Sequence, residues 1–141
     1  MRDKDKMLIP LNEEVKIVEK YLAMEKTRFP DRLIYTINVT SEALNVEIIP
    51  FILQPFVENA IKYGMRTSPE ILDIAVNGCC RGNSLIVEIS NTGNWIEDST
   101  GGTGIKNVRS RLSNAFPDRH KFQIVKSRGR VHIIIEITIS R

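Results

Sequence analysis

Only two cysteines occur among the 141 residues, and they are neighbours, Cys79 and Cys80. Adjacent thiols do not pair readily with each other and lack zinc spacing, so neither a disulfide framework nor a zinc module is expected. They are read as strand-end residues without chemistry. Histidine is equally scarce: His120 and His132 lie far from the cysteines, and both are read as ordinary structural residues. No apolar run approaches the ~18 residues of a membrane span, and nothing resembles a signal peptide. Aromatic residues make up 6% and form no stripe with basic ones, which argues against a nucleic-acid-binding module. The net charge of +3 and pI near 9.0 suit anionic ligands but are too mild to imply nucleic acid. A single soluble, cytoplasmic domain is the expectation.

Hydrophobic residues supply 42% and charged residues 26%, so one core is affordable without metal or disulfide. Asn12, Glu13 and Glu14 read as a helix start, a cap followed by acids near the positive end of the helix dipole. That helix is expected to reach Arg28, its apolar positions Val15, Ile17, Val18, Tyr21, Leu22 and Met24 covering nearly half the circumference. Alternation marks Leu33–Val39 as a strand, and 45–48 as a short extended stretch. Pro50 is expected to open a helix that runs to Tyr63 and stops at Gly64, with Pro55 awkwardly inside it. Ile71–Asn77 and Leu85–Ser90 read as antiparallel strands, 92–102 as a mobile loop, 104–115 as a helix. Phe122–Lys126 and Val131–Ser140 form a hairpin around Arg128–Gly129. The pattern implies a two-layer α/β sandwich, with a mixed, mostly antiparallel sheet of about five strands on about three helices.

Three segments carry chemistry. On the first, Asn59, Lys62 and Tyr63 fall within about 100° of one another at ~3.6 residues per turn, while Phe56, Val57 and Ala60 face the core. An amide oxygen suits magnesium, which takes a few protein oxygens together with phosphate and water. Lys62 supplies a point charge for phosphates, Tyr63 a surface for adenosine, and Glu58 sits at the rim. In the second, Asn91 at a strand end is an acceptor for an adenine amino group, and Gly93 lets backbone approach the base. In the third, Gly101, Gly102 and Gly104 precede a helix whose free amides can hold phosphate oxygens. No GxxxxGK[ST] motif occurs, and Asn107 stands where GxGxxG would end in glycine. Lys106, Arg109 and Arg111 add positive charge, though Arg111 equally suits a structural surface pair. Each segment alone is better explained by an amphipathic helix face or an ordinary turn; their order in one chain is the informative feature.

Taken together, the segments resemble the ATP-binding domain of sensor histidine kinases, in the gyrase–histidine kinase–MutL superfamily with the Bergerat fold. Glu58–Asn59–Ala60–Ile61–Lys62–Tyr63 resembles its N box, Asn91–Thr92–Gly93 its first glycine box, and Gly102–Thr103–Gly104–Ile105–Lys106–Asn107 its second. Pro10–Glu14, Tyr21–Lys26 with Arg28–Phe29, and Pro50–Pro55 are similar to kinases that often signal to LytTR-type DNA-binding regulators. The resemblance implies ATP and Mg2+ as cofactors, with Asn59 as metal ligand and Glu58 and Lys62 as catalytic residues. It implies nucleotide contacts from Asn59, Lys62, Tyr63, Asn91, Gly93, Gly102, Thr103, Gly104, Ile105 and Asn107, under a lid from Asn94 to Gly101.

The same resemblance implies residues 1–29 as a linker helix after an absent phosphoacceptor helix, and 30–141 as the catalytic domain. The parent is expected to be a homodimeric membrane sensor that passes its phosphoryl group to a response regulator. The family's adenine-binding aspartate is Asn91 here, and Trp95 replaces a further glycine. Those departures leave open a degenerate nucleotide sensor or scaffold without kinase activity. An anti-sigma-type serine kinase is a further rival, opposed by the Asn12–Phe29 helix.

Overall fold

The computed structural model describes residues 7–68, 70–94 and 103–139, with side chains from 106 onward in the last stretch. Among the described residues, seven strands and four helices follow in the order β1 (Ile9–Pro10), α1 (Leu11–Arg28), β2 (Leu33–Val39), α2 (Ser41–Leu44), β3 (Glu47–Ile48), α3 (Gln54–Thr67), β4 (Leu72–Arg81), β5 (Ser84–Thr92), α4 (Thr103–Ala115), β6 (His120–Ser127) and β7 (Arg130–Thr138). Five strands form one sheet in the order β2-β4-β5-β7-β6, and β1 pairs with β3 in a small separate ribbon. Only β2 and β4 run parallel within the large sheet; β4–β5, β5–β7 and β7–β6 are antiparallel. A parallel pair needs a long crossover, and α3 lies in that connection. The expected α/β sandwich with a mixed five-stranded sheet is the architecture observed.

The strands alternate as a one-sided sheet requires. Leu72, Ile74 and Val76 of β4 are buried, as are Leu85, Val87 and Ile89 of β5 and Val131, Ile133, Ile135 and Ile137 of β7. Helices cover that face: Phe56, Val57, Ala60 and Ile61 come from α3, and Val108, Leu112 and Ala115 from α4. From α1, Leu11, Val15, Val18 and Leu22 enter the same core.

Three local expectations need correction. Asn12 is not a cap: α1 begins at Leu11, Pro10 holds the N-cap position, and no side chain caps it. Its buried stripe is narrower than the sequence suggested, since Ile17 and Met24 are 43% and 63% exposed while Glu14 and Glu25 are buried. The third correction concerns α3, which opens at Gln54 rather than Pro50, with Pro55 in its first turn. There the missing N–H is no loss, because first-turn amides have no intrahelical partner. Nor does Gly64 end it; the helix continues to Thr67. Gly64 packs so tightly that a Cβ would lie 2.5 Å from Leu72 Cδ1. Glycine is there for closeness to the sheet, at some cost in helix propensity.

Candidate functional site

The face expected on α3 is present. Glu58 and Lys62 are exposed, Asn59 and Tyr63 half-buried, and Phe56, Val57 and Ala60 point into the core. Lys62 and Arg66 both lie over the Tyr63 ring, at 5.1 and 5.8 Å from its centroid. Glu58 faces α1: its carboxylate acts on Tyr21, whose hydroxyl pKa is raised by burial and by Glu25 and Glu58, with Arg28 opposing.

Two contacts bring this helix to the end of β5. The first is Gly64, where a Cβ would stand 3.3 Å from Asn91 Nδ2. The second is Thr67, a residue the sequence reading passed over. Its hydroxyl donates to Tyr63 O (3.0 Å) and accepts from Asn94 N (3.0 Å). Gly93 passes directly beneath it, with φ of 112° and room for no side chain: a Cβ would lie 2.3 Å from Thr67 Oγ1. Gly93 N donates to Gly129 O (2.8 Å), tying the strand end to the β6–β7 turn. Thr92 is fully engaged as well, accepting from Asp73 N and sharing a hydrogen bond with Ser68. Asn91 Nδ2 donates to Thr92 O at 2.7 Å. A cleft of about 470 Å³ opens beside these residues, lined by Thr67, Ser68, Ile71, Thr92, Gly93 and Gly129, and does not extend to Asn59 or Lys62.

The second half of the expected site is described in part. Gly101, Gly102 and the lid residues 95–100 lie outside the described residues. Thr103, Gly104 and Ile105 open α4, with nothing described of their side chains. Lys106 and Asn107 are exposed. The two arginines expected to add charge have other partners. Arg109 lies over the Phe122 ring at 4.4 Å, and Phe122 in turn packs against Phe56 at 5.5 Å. Arg111 donates to the carbonyls of Pro50 and Phe51. Both histidines are engaged structurally, His120 with Phe116 O and His132 with Glu88. Burial raises the pKa of the Cys80 thiol, reinforced by Glu42 and Cys79.

Glu14 is the other residue the sequence reading undervalued. It is fully buried and accepts from the consecutive amides of Phe51, Ile52 and Leu53, at 2.7, 3.1 and 3.1 Å. The only sequence hint was an acid in the first turn of a helix, which dipole electrostatics already explains.

No protein-family model matches the chain. Curated proteins do. Sensor histidine kinase BtsS of Escherichia coli K12 is 31% identical over 118 residues, covering 82% of this chain and 21% of that protein. The homologues of this chain are thus sensor histidine kinases. Sensor histidine kinase YesM of Bacillus subtilis is 28% identical over 125 residues, covering 84% of the chain and 22% of YesM. Sensor protein LytS of Staphylococcus haemolyticus is 36% identical over 92 residues, covering 64% and 15%. The chain spans about a fifth of the length of the curated relatives BtsS and YesM.

Solved structures share the fold at low identity. The catalytic domain of histidine kinase ThkA superposes with a TM-score of 0.71 at 16% identity, covering 94% of this chain and 95% of that one. The ThkA complex with response regulator protein TrrA gives 0.71 at 18% identity, covering 95% and 42%. The fold of this chain is that of the histidine kinase catalytic domains. Among the described residues, no helix is long and apolar enough to cross a membrane.

Proposed function

We propose that the chain is the ATP-binding catalytic domain of a two-component sensor histidine kinase. It would transfer the γ-phosphoryl group of ATP to a histidine nitrogen on a dimerisation domain of the same homodimeric protein. A response regulator would then receive that group. The supporting observation is the joining of two motifs. Gly64 and Thr67 hold the helix bearing Asn59, Lys62 and Tyr63 against the strand end bearing Asn91 and Gly93.

The donor chemistry fits a metal-bound triphosphate. Asn59 offers a hard amide oxygen to Mg2+, and Lys62 an exposed cation on the same face. Asn91 offers an amide oxygen to the adenine amino group, and Gly93 a backbone without a Cβ. A cation held there would supply charge compensation, which is much of what phosphoryl transfer asks of a site. Lys62 and the α4 amides from Thr103 onward add to it. Glu58, exposed on α3, would orient the acceptor imidazole.

Calorimetric titration with ATP at varied Mg2+ tests this, followed by addition of a separate domain carrying an acceptor helix. Binding followed by phosphohistidine formation is the expected result, and Asn59→Ala is expected to abolish the magnesium dependence. No heat with any adenine nucleotide, with or without the cation, would overturn the proposal.

A further inference from the structure

The turn that launches α3 is held from outside by two helices. Glu14 of α1 takes three successive amides of that turn onto one carboxylate, a concave anion-binding arrangement of N–H groups. From the opposite side, the Arg111 guanidinium of α4 takes the carbonyls of Pro50 and Phe51. The peptide unit following Phe51 is therefore gripped at its N–H by an acid and at its C=O by a base, each from a different helix.

Phe51 itself is in an unfavourable conformation. Its φ is 62°, in the left-handed region that bulky side chains avoid. Its ring is 57% exposed, so packing of the ring is not what enforces that backbone. Strain of this kind persists only where the surroundings over-determine it. Immediately downstream, Gln54 Nε2 is buried and has no hydrogen-bond partner among the described residues, a second local cost. The turn is thus poised: with either charge removed, Phe51 can relax to negative φ and the first turn of α3 shifts with it.

We infer that Glu14 and Arg111 are positioning residues for the nucleotide site, coupling α1 and α4 to the placement of the α3 helix through the strained Phe51 peptide. The inference rests on the reading of α3 as the nucleotide-binding helix. α1 enters the clasp at Glu14, and α4 enters it at Arg111, one to two turns beyond Lys106 and Asn107. A displacement of either helix reaches Asn59 through the rigid body of α3.

The test compares the 141-residue chain with Arg111→Gln, Arg111→Lys, Glu14→Gln and the double variant Glu14→Gln/Arg111→Gln. Affinity for Mg-ATP is measured by calorimetry and amide exchange by mass spectrometry. Arg111→Gln is expected to weaken Mg-ATP by roughly five- to tenfold, the lower range of coupling between sites. Arg111→Lys should fall between it and the parent, because one ammonium cannot reproduce the planar fork. The double variant should lose little more than either single one, since both act on the same peptide. Amides 51–53 should exchange faster in Arg111→Gln even though their acceptor, Glu14, is untouched.

Rescue is the discriminating readout. Phe51→Gly in the Arg111→Gln background should recover most of the lost affinity, since glycine takes positive φ without a steric penalty. A merely structural arginine would give a lower melting temperature, unchanged affinity and no rescue by glycine. Unchanged affinity in Arg111→Gln, or strictly additive losses in the double variant, overturns the clasp. Absence of Mg-ATP binding by the parent chain is a different failure, overturning the nucleotide reading and this inference with it.

Discussion

Gly93→Ala should be among the most damaging single methyl additions in the molecule, and its cost divides into two separable parts. One is conformational: φ of 112° lies where L-residues with a Cβ are rarely found, at a cost of about 1–3 kcal/mol. The other is steric. The new methyl would lie 2.3 Å from Thr67 Oγ1 and 3.3 Å from Ser68 N, where ordinary contact begins at 3.4 Å. Thr67 cannot simply turn away, because its hydroxyl bonds Tyr63 O and Asn94 N and its branched side chain has few rotamers on a helix. Losing one or both bonds costs roughly 0.5–1.5 kcal/mol each. Together these predict a loss of about 1.5–6 kcal/mol, a large share of the ~5–15 kcal/mol that holds a typical domain.

Urea unfolding followed by circular dichroism measures the loss, and the double variant Thr67→Ala/Gly93→Ala separates the parts. Removing the hydroxyl should relieve the collision, leaving only the backbone strain relative to Thr67→Ala. Gly93→Ala within about 0.5 kcal/mol of the parent would refute the reasoning, that being the range of an inconsequential surface change. So would a double variant with no relief.

Further outcomes follow from the same geometry. Gly64→Ala gains about 1 kcal/mol of helix propensity but overpacks Leu72 by about 1–3 kcal/mol, so chemical denaturation should show a net loss of at most ~2 kcal/mol. Its effect on Mg-ATP affinity should be larger in proportion, because the methyl also presses on Asn91, and calorimetry checks that. Asn91→Asp should bind ATP more tightly by restoring a charged acceptor, yet unfold about 1 kcal/mol more easily because the bond to Thr92 O is lost. Tyr21 gives a pH signature. Its folded-state pKa is raised, so its contribution is intact below the unfolded value of about 10 and is lost as pH rises through the folded one. Stability measured from pH 9 upward should therefore decline, and Tyr21→Phe should flatten that part of the profile.

Strand positions were the most legible part of the sequence. Leu33–Val39 was delimited by its alternation alone, and the Arg128–Gly129 turn by its glycine, which takes φ of 67°. The face of α3 was legible for the same reason: Asn59, Lys62 and Tyr63 recur at helical spacing among apolar neighbours. What escaped were features fixed by distant partners. Glu14 and the turn it clasps are separated by 37 to 39 residues, and nothing local to either announces the other. Pro50 looked like a helix start because proline favours that position, but Phe51 turns left-handed and moves the start to Gln54. Gly64 looked like a stop because glycine usually is one; the contact with Leu72 that overrides this lies in another element. Arg109 reads as added charge because its partner, Phe122, comes from elsewhere in the chain. For the same reason, the structural alternative for Arg111 could not name its partners, the Pro50 and Phe51 carbonyls.

The pairing of β5 with β7 runs from Ser84↔Thr138 to Thr92↔Arg130, and the bond from Gly93 N to Gly129 O closes it one residue further on. Registration of the sheet is consequently independent of how much chain intervenes after Asn94. Each doubling of a flexible insertion costs only ~0.6 kcal/mol in closure entropy. Lengthening, shortening or rewriting that stretch should therefore leave the β5–β7 register unaltered.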